Sequence, residues 1–232
     1  MSSFKLAILI SGSGSNLQAV MDAVENGIIK NTKVAIVISN RSGVYGLERA
    51  KIRGIPNTVV ESSDKNKLLE TLKDYNIDGI VLAGYLSILP PEIITTFNGK
   101  IINIHPALLP MFGGMGFYGI KVHQAVLASG VKYTGATAHL VDTGVDTGAA
   151  LVRGVVPVLD GDTAEDLQKR VLEVEHKVLV LAVTALVENK IEKKTGNPEV
   201  IICDDDRDGI NEYAQGLLEL GTALTVKDDG EK

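Results

Sequence analysis

Apolar runs of strand length alternate with amphipathic stretches of helical length from the start of the chain to about residue 192. Few architectures accept that pattern. Each apolar run needs cover, and the stretches between are long enough to cross back over a sheet and supply it, which is the pattern of a wound α/β fold. Strands are expected at residues 5–10, 33–39, 58–61, 79–83, 100–104, 135–141 and 149–157. The first, second, fourth and fifth look continuously apolar, as strands of a parallel sheet buried on both faces do. Helices are expected at residues 15–29, 46–53, 65–75, 91–97 and 118–129, with the longest over 163–191. There Thr163 with Asp166 resembles a capping box, and Leu167, Val171, Val174, Val178 and Leu181 form an apolar stripe at helical spacing. The expected fold is α/β: a Rossmann-like wound sheet, mostly parallel, with seven strands flanked by helices.

Composition narrows the function classes. Hydrophobic residues make up 45% of the 232, enough for a sizeable core. The single cysteine, Cys203, leaves no internal disulfide and no cysteine-based zinc cage, which fits a reducing, cytoplasmic setting. His105, His123, His139 and His176 are scattered without metal spacing, so no metal is expected. No apolar run reaches about 18 residues and no secretory leader opens the chain, so neither a membrane nor secretion is expected. The net charge of −6 is unevenly placed. From residue 197 onward, ten acidic residues face Arg207, Lys227 and Lys232, so the 196 residues before carry 19 acidic and 20 basic groups. A nearly neutral body with few aromatic residues and no tryptophan is not built to bind nucleic acid. Lys193 to Pro198 reads as a break, which divides the chain into a domain over residues 1–192 and an acidic C-terminal extension over 193–232, with a possible helix at 210–220.

The first strand runs straight into Ser11-Gly12-Ser13-Gly14-Ser15-Asn16-Leu17 and then a helix. Such a turn exposes backbone N–H groups at the positive end of the helix, and its small residues let a phosphate come close. A dinucleotide fits less well, because Leu17 holds the third glycine position and the second strand ends in Ser39-Asn40 with no acidic residue for a ribose. Two readings stay open: a phosphomonoester site, and a plain tight turn with Ser15 as N-cap.

The acyl chemistry sits in Lys100-Ile101-Ile102-Asn103-Ile104-His105-Pro106. On a strand, Asn103 and His105 share one face while Ile102 and Ile104 take the other. Pro106 cannot donate within a central sheet, so it ends the strand with His105 at the carboxyl end, where open α/β sheets bind ligands. About forty residues later stands Val145-Asp146-Thr147-Gly148. An amide, an imidazole and a carboxylate are the groups needed to move an acyl carbon: an oxyanion donor, a proton shuttle and a partner for the shuttle. The plainer alternatives are strand-end residues satisfied by loop backbone, and a turn aspartate. His123 and His176 read as structural, and His139 as structural or as support for the site.

Ser11 to Gln18, Leu82-Ala83-Gly84-Tyr85, Asn103-Ile104-His105-Pro106-Ala107-Leu108-Leu109-Pro110, His139-Leu140-Val141 and Asp146-Thr147-Gly148, in that order, resemble the phosphoribosylglycinamide formyltransferases over about residues 4–192. The N-x-H-P-x-L-L-P element is shared by the wider folate-dependent formyltransferase superfamily, and the serine-glycine loop with Asn16 selects this branch. The resemblance implies transfer of a formyl group from 10-formyltetrahydrofolate, as co-substrate, to the amino group of phosphoribosylglycinamide in purine biosynthesis. It further implies that Gly14, Ser15 and Asn16 hold the substrate phosphate and that Glu175 contacts the glycinamide. Leu86, Ser87, Ile88 and Leu89 would hold the folate, joined by Asn103 and by the loop from Asp142 to Asp146. Asn103, His105 and Asp146 match the catalytic trio, with Asn103 on the oxyanion, His105 as proton donor and Asp146 raising the His105 pKa. The partners implied are small molecules only, acting on a monomer or homodimer.

Ser87 departs from the family, where many members carry arginine. The four glycines of the 111–119 loop suit a mobile flap or a plain connector. One rival is a formyltetrahydrofolate deformylase, whose branch carries an added N-terminal domain, whereas the first strand here begins by Phe4. Another is a non-enzymatic nucleotide-binding module, which has no need of the trio.

Overall fold

The computed structural model describes residues 3–188 and 201–202. The strands β1 (Phe4–Ile10), β2 (Thr32–Ser39), β3 (Asn57–Val59), β4 (Gly79–Leu82), β5 (Ile101–His105), β6 (Tyr133–Leu140) and β7 (Ala150–Pro157) form one sheet in the order β3-β2-β1-β4-β5-β6-β7. The strands from β3 through β5 run parallel, and β6 runs antiparallel to both β5 and β7. A two-residue strand, β8 (Ile201–Ile202), pairs parallel with Val152 and Arg153 of β7 and makes an eighth. It falls in the stretch read as an acidic extension. Two residues carry no periodicity to detect, and the pairing comes from the open edge of β7. The domain boundary near residue 192, the helix expected over 210–220 and Cys203 lie outside the described residues.

Burial follows the apolar runs. Residues 6–10 of β1 are fully buried, and every residue of β4 is buried. Side chains alternate between two core layers. Leu6, Ile8 and Ile10 pack with Leu17 and Val20 of α1 (Ser15–Glu25), Ala50 of α2 (Tyr45–Ile52), Val126 of α5 (Ile120–Ser129) and Val171 and Val178 of α6 (Ala164–Val187). Ala7 and Leu9 pack with Leu68 and Leu72 of α3 (Lys65–Asp74) and Ile93 of α4 (Pro91–Thr96). The helix α1 stops at Glu25, sooner than the sequence pattern suggests, because the N–H groups of Ile28 and Ile29 both turn back to the Ala23 carbonyl and return Ile29 to the core.

The capping box of α6 forms: the Thr163 hydroxyl accepts from the Asp166 N–H at 3.1 Å, and the Asp166 carboxylate accepts from the Thr163 N–H at 3.3 Å. The expected apolar stripe holds except at Leu181, which is 40% exposed. The buried face continues instead through Leu179, Ala182, Val183 and Leu186, and it takes in Glu175. The wound order reverses between β1 and β4, so the loops leaving their carboxyl ends part and open a crevice.

Candidate active site

A cavity of about 690 Å³ opens over the carboxyl ends of β1, β4 and β5. That is the size of a small-molecule site. Every residue singled out from the sequence lines it: Gly14, Ser15 and Asn16; Leu86 to Leu89; Asn103 and His105; Asp142 and Asp146; and Glu175.

At one end lies the loop after β1. Gly14, and not Ser15, occupies the N-cap of α1; it is left-handed at φ 73° and gives no side-chain cap, so the first N–H groups of the helix remain open to a ligand. A Cβ on Gly14 would stand 2.8 Å from the Gly46 Cα, too close for any side chain. We expect Gly14→Ala to cost about 1–3 kcal/mol of stability, from the left-handed backbone and the clash. Isothermal titration should then show ribonucleotide binding weakened, and unchanged binding would remove the loop from the site.

Beside this loop, the Asn16 amide donates to a Glu175 carboxylate oxygen at 2.8 Å, and both residues are buried. Burial pushes the Glu175 pKa up to about 7, opposed by the Asn16 hydrogen bond. The native state therefore holds a proton that the unfolded chain releases, and stability falls as pH rises from about 4.5 to about 7. His123, 1% exposed on α5, titrates the other way. Burial, with His105 nearby, pushes its pKa down to about 4, so stability rises with pH between about 4 and 6.5. The two slopes oppose each other. Glu175→Gln removes only the falling one, so the stability advantage of the variant over wild type should widen by on the order of 2 kcal/mol between about pH 5 and pH 7.5. Thermal or denaturant melts across that range check this, and a constant offset would contradict it.

At the other end lies the trio. His105 ends β5, 4% exposed. Its Nε2 donates to the Phe112 carbonyl at 2.8 Å, and its Nδ1 lies 3.4 Å from an Asp146 carboxylate oxygen. That same oxygen accepts the Gly114 N–H at 3.0 Å, and the other lies 3.4 Å from the Asn103 amide nitrogen. Asp146 reaches inward from a left-handed residue at φ 57°. Its own burial favours the protonated carboxyl, but the neighbouring His139 and His105 rings and the Gly114 N–H together hold its pKa below the ordinary aspartate value. The upward pull of Asp146 on His105 expected from the sequence is present but outweighed. Burial is the largest influence on the ring and holds its pKa below 6.5, although Asp146 and the Phe112 carbonyl pull upward. The resting imidazole is therefore neutral at neutral pH.

His139 supports the site. Its Nδ1 donates to its neighbour's carbonyl, Leu140 O, at 2.9 Å, so in the neutral ring Nε2 accepts from the Asn103 amide at 3.0 Å. Asn103 thus spends its two amide hydrogens on His139 and Asp146. The longer Asp146 contact is the one a stronger acceptor in the cavity would displace. Asp142 stands at the rim, where one carboxylate oxygen accepts from the Gly144 N–H and the Thr147 hydroxyl and so shapes the loop leading to Asp146. Across the opening, Leu86 and Ile88 are 51% and 68% exposed. They leave an apolar lip, and the Leu86 N–H is tied to the Ser11 hydroxyl at 2.8 Å. Ser87 faces Asn40 and Ser62, each 2.6 Å from its hydroxyl, so it belongs to a neutral polar cluster behind that lip.

Residues 4–183 match the sequence model of a family described as Formyl transferase. The chain belongs to this family. The chloroplastic phosphoribosylglycinamide formyltransferase of Vigna unguiculata is 42% identical over 217 residues, covering 90% of this chain and 68% of that protein. The phosphoribosylglycinamide formyltransferase of Haemophilus influenzae is 38% identical over 197 residues, covering 82% and 90%. Among solved structures, glycinamide ribonucleotide transformylase 1 from Symbiobacterium toebii aligns with a TM-score of 0.79 at 37% identity, over 84% of this chain and 93% of that one. A formyltetrahydrofolate deformylase from Pseudomonas syringae pv. tomato also aligns, with a TM-score of 0.76 over 84% of this chain and 65% of that one, but at 24% identity it speaks to the fold alone.

Sequence reasoning passed over part of the cavity lining. Gln168 and Leu172 line the cavity beside Glu175. Their spacing of seven and three residues before Glu175 puts all three on one helical face, a signal that was available. His123 also lines the cavity, with its Nδ1 buried and unpartnered, and nothing in its local sequence distinguished it from a core histidine.

Proposed function

We propose that this chain transfers the formyl group of 10-formyltetrahydrofolate to the amino group of phosphoribosylglycinamide, a step of purine biosynthesis. The observation that carries the reading is one cavity with an open, uncapped helix end at one side and an amide, imidazole and carboxylate at the other. The first suits a phosphate and the second an acyl carbon. The volume and the apolar lip of Leu86 and Ile88 suit a flat aromatic donor such as a folate, and Leu89 and the loop from Asp142 to Asp146 complete that side.

Gly14, Ser15 and Asn16 hold the phosphate by backbone N–H groups, and Glu175 orients the glycinamide. The attacking amine loses one proton and the departing folate nitrogen gains one, so the chemistry needs a proton carrier and consumes none. His105, neutral at rest with a bare Nδ1 beside Asp146, accepts that proton and gains an ion pair as it does so. It then returns the proton to the leaving nitrogen. Asn103 trades its long contact to Asp146 for the oxygen on which negative charge develops, where one donor is typically worth about 3 kcal/mol. No step calls for a metal.

We further assign the formyl transferase domain to residues 1–192 and an acidic extension to 193–232, working in the cytoplasm on small molecules as a monomer or homodimer. The single cysteine supports that compartment. Among the described residues, no helix is long and apolar enough to cross a membrane.

The test is to mix the protein with a 10-formylfolate donor and follow the absorbance change on deformylation, with and without glycinamide ribonucleotide. Signal only with the ribonucleotide supports transfer. Equal signal without it would mean hydrolysis, and silence in both would leave a binding module.

A further inference from the structure

We propose that Arg49, which lies behind the cavity wall on α2, is a positioning residue that sets the loop after β1 for a phosphate, and so decides how strongly the enzyme prefers a phosphorylated substrate. This rests on the phosphate site proposed above. The loop can offer N–H groups to an anion only if its carbonyls face elsewhere, because a carbonyl dipole turned inward repels the same charge. The first turn and a half of α2 takes two of them. The Gly46 N–H donates to the Gly12 carbonyl at 3.1 Å, and the Arg49 Nε donates to the Ser13 carbonyl at 2.8 Å.

Arg49 is itself fixed on two sides. Its Nη1 donates to the Gln18 side-chain oxygen at 3.0 Å, which ties it to α1, and its guanidinium carbon sits 4.8 Å from the centre of the Tyr45 ring. Gln18 in turn donates to Asp22 at 2.9 Å, so the fork is part of a chain of polar contacts along the outer face of α1. Only a planar fork can hold the Ser13 carbonyl and Gln18 together, so lysine supplies the charge without the geometry. The close pass of Gly14 over Gly46 leaves the loop little room to compensate.

Two readouts test this. In Arg49→Gln, kcat/KM for glycinamide ribonucleotide should fall about ten- to a hundredfold, the range expected for a lost charged hydrogen bond. The fall should lie in KM, with the KM for the folate donor and kcat/KM for the phosphate-free glycinamide riboside unchanged. Arg49→Lys should recover only a small part of the loss. Independently of turnover, inorganic phosphate should raise the melting temperature of the wild type and do so much less for Arg49→Gln, each protein being referred to its own phosphate-free melt. Equal losses on the phosphorylated and phosphate-free substrates, full rescue by lysine, or equal phosphate protection in wild type and variant would each overturn the proposal. Because phosphate protection does not depend on formyl transfer, an inactive enzyme that still loses protection in Arg49→Gln would sink the catalytic reading and leave this one standing.

Discussion

His105→Ala lowers turnover by about a hundred- to ten-thousandfold, the usual range for a lost proton carrier, while substrate affinity stays close to wild type. The loop after β1 and the Leu86 to Leu89 segment stand on other strands, so binding should survive. The cost to stability is modest, about 1–2 kcal/mol for a buried side chain whose removal leaves the Phe112 carbonyl without its donor. The wild-type pH profile should carry the same signature. Because burial holds the ring below 6.5, activity is full at neutral pH and falls as pH drops through a midpoint under 6.5, where the ring is already protonated and can accept nothing. A resting imidazolium would instead lose activity as pH rises through the histidine range. Stopped-flow or steady-state rates from about pH 5 to pH 8 separate the two. Full turnover in His105→Ala would remove the residue from the chemistry.

Asp146→Asn produces a loss of similar size with an almost unchanged fold. Asparagine accepts the left-handed backbone that Asp146 adopts, so the loop can keep its path. What changes is charge and accepting capacity. One side-chain position becomes a donor and must face either the Gly114 N–H or the Asn103 amide, and His105 loses its counter-charge. We expect turnover to fall about a hundred- to ten-thousandfold, with about 1–2 kcal/mol lost in stability. The acid limb of the pH profile should also move to lower pH, since the upward pull of Asp146 on His105 has gone. Circular dichroism with kcat at several pH values checks all three. Turnover at the wild-type level would show that the carboxylate is only a turn residue.

The parts of this molecule that could be read from the sequence are those fixed by local pattern. β4 and residues 6–10 of β1 are recognisable because burial on both faces leaves no polar residue in them, and Pro106 marks the end of β5 because it cannot donate in a sheet. The capping box of Thr163 and Asp166 is equally local. What stayed hidden depends on the third dimension. The charge partner of His105 was legible in Val145-Asp146-Thr147-Gly148, but its burial was not, and burial decides the sign of its pKa shift. The place of Gly14 at the N-cap, where Ser15 was one expectation, follows from its close packing on Gly46 in another helix. Leu181 turned outward because a heptad-spaced stripe drifts over the roughly four turns from Leu167, and Glu175 sits inside the buried face because Asn16 meets it from across the fold.

The most direct measurement follows the formyl carbon itself. Purified protein is given glycinamide ribonucleotide and a 10-formyltetrahydrofolate carrying an isotopic label in the formyl group, and the products are resolved by mass spectrometry. The account predicts the label on the glycinamide nitrogen, at a rate that collapses in His105→Ala and Asp146→Asn. Label released as free formate, or left on the folate, would contradict it.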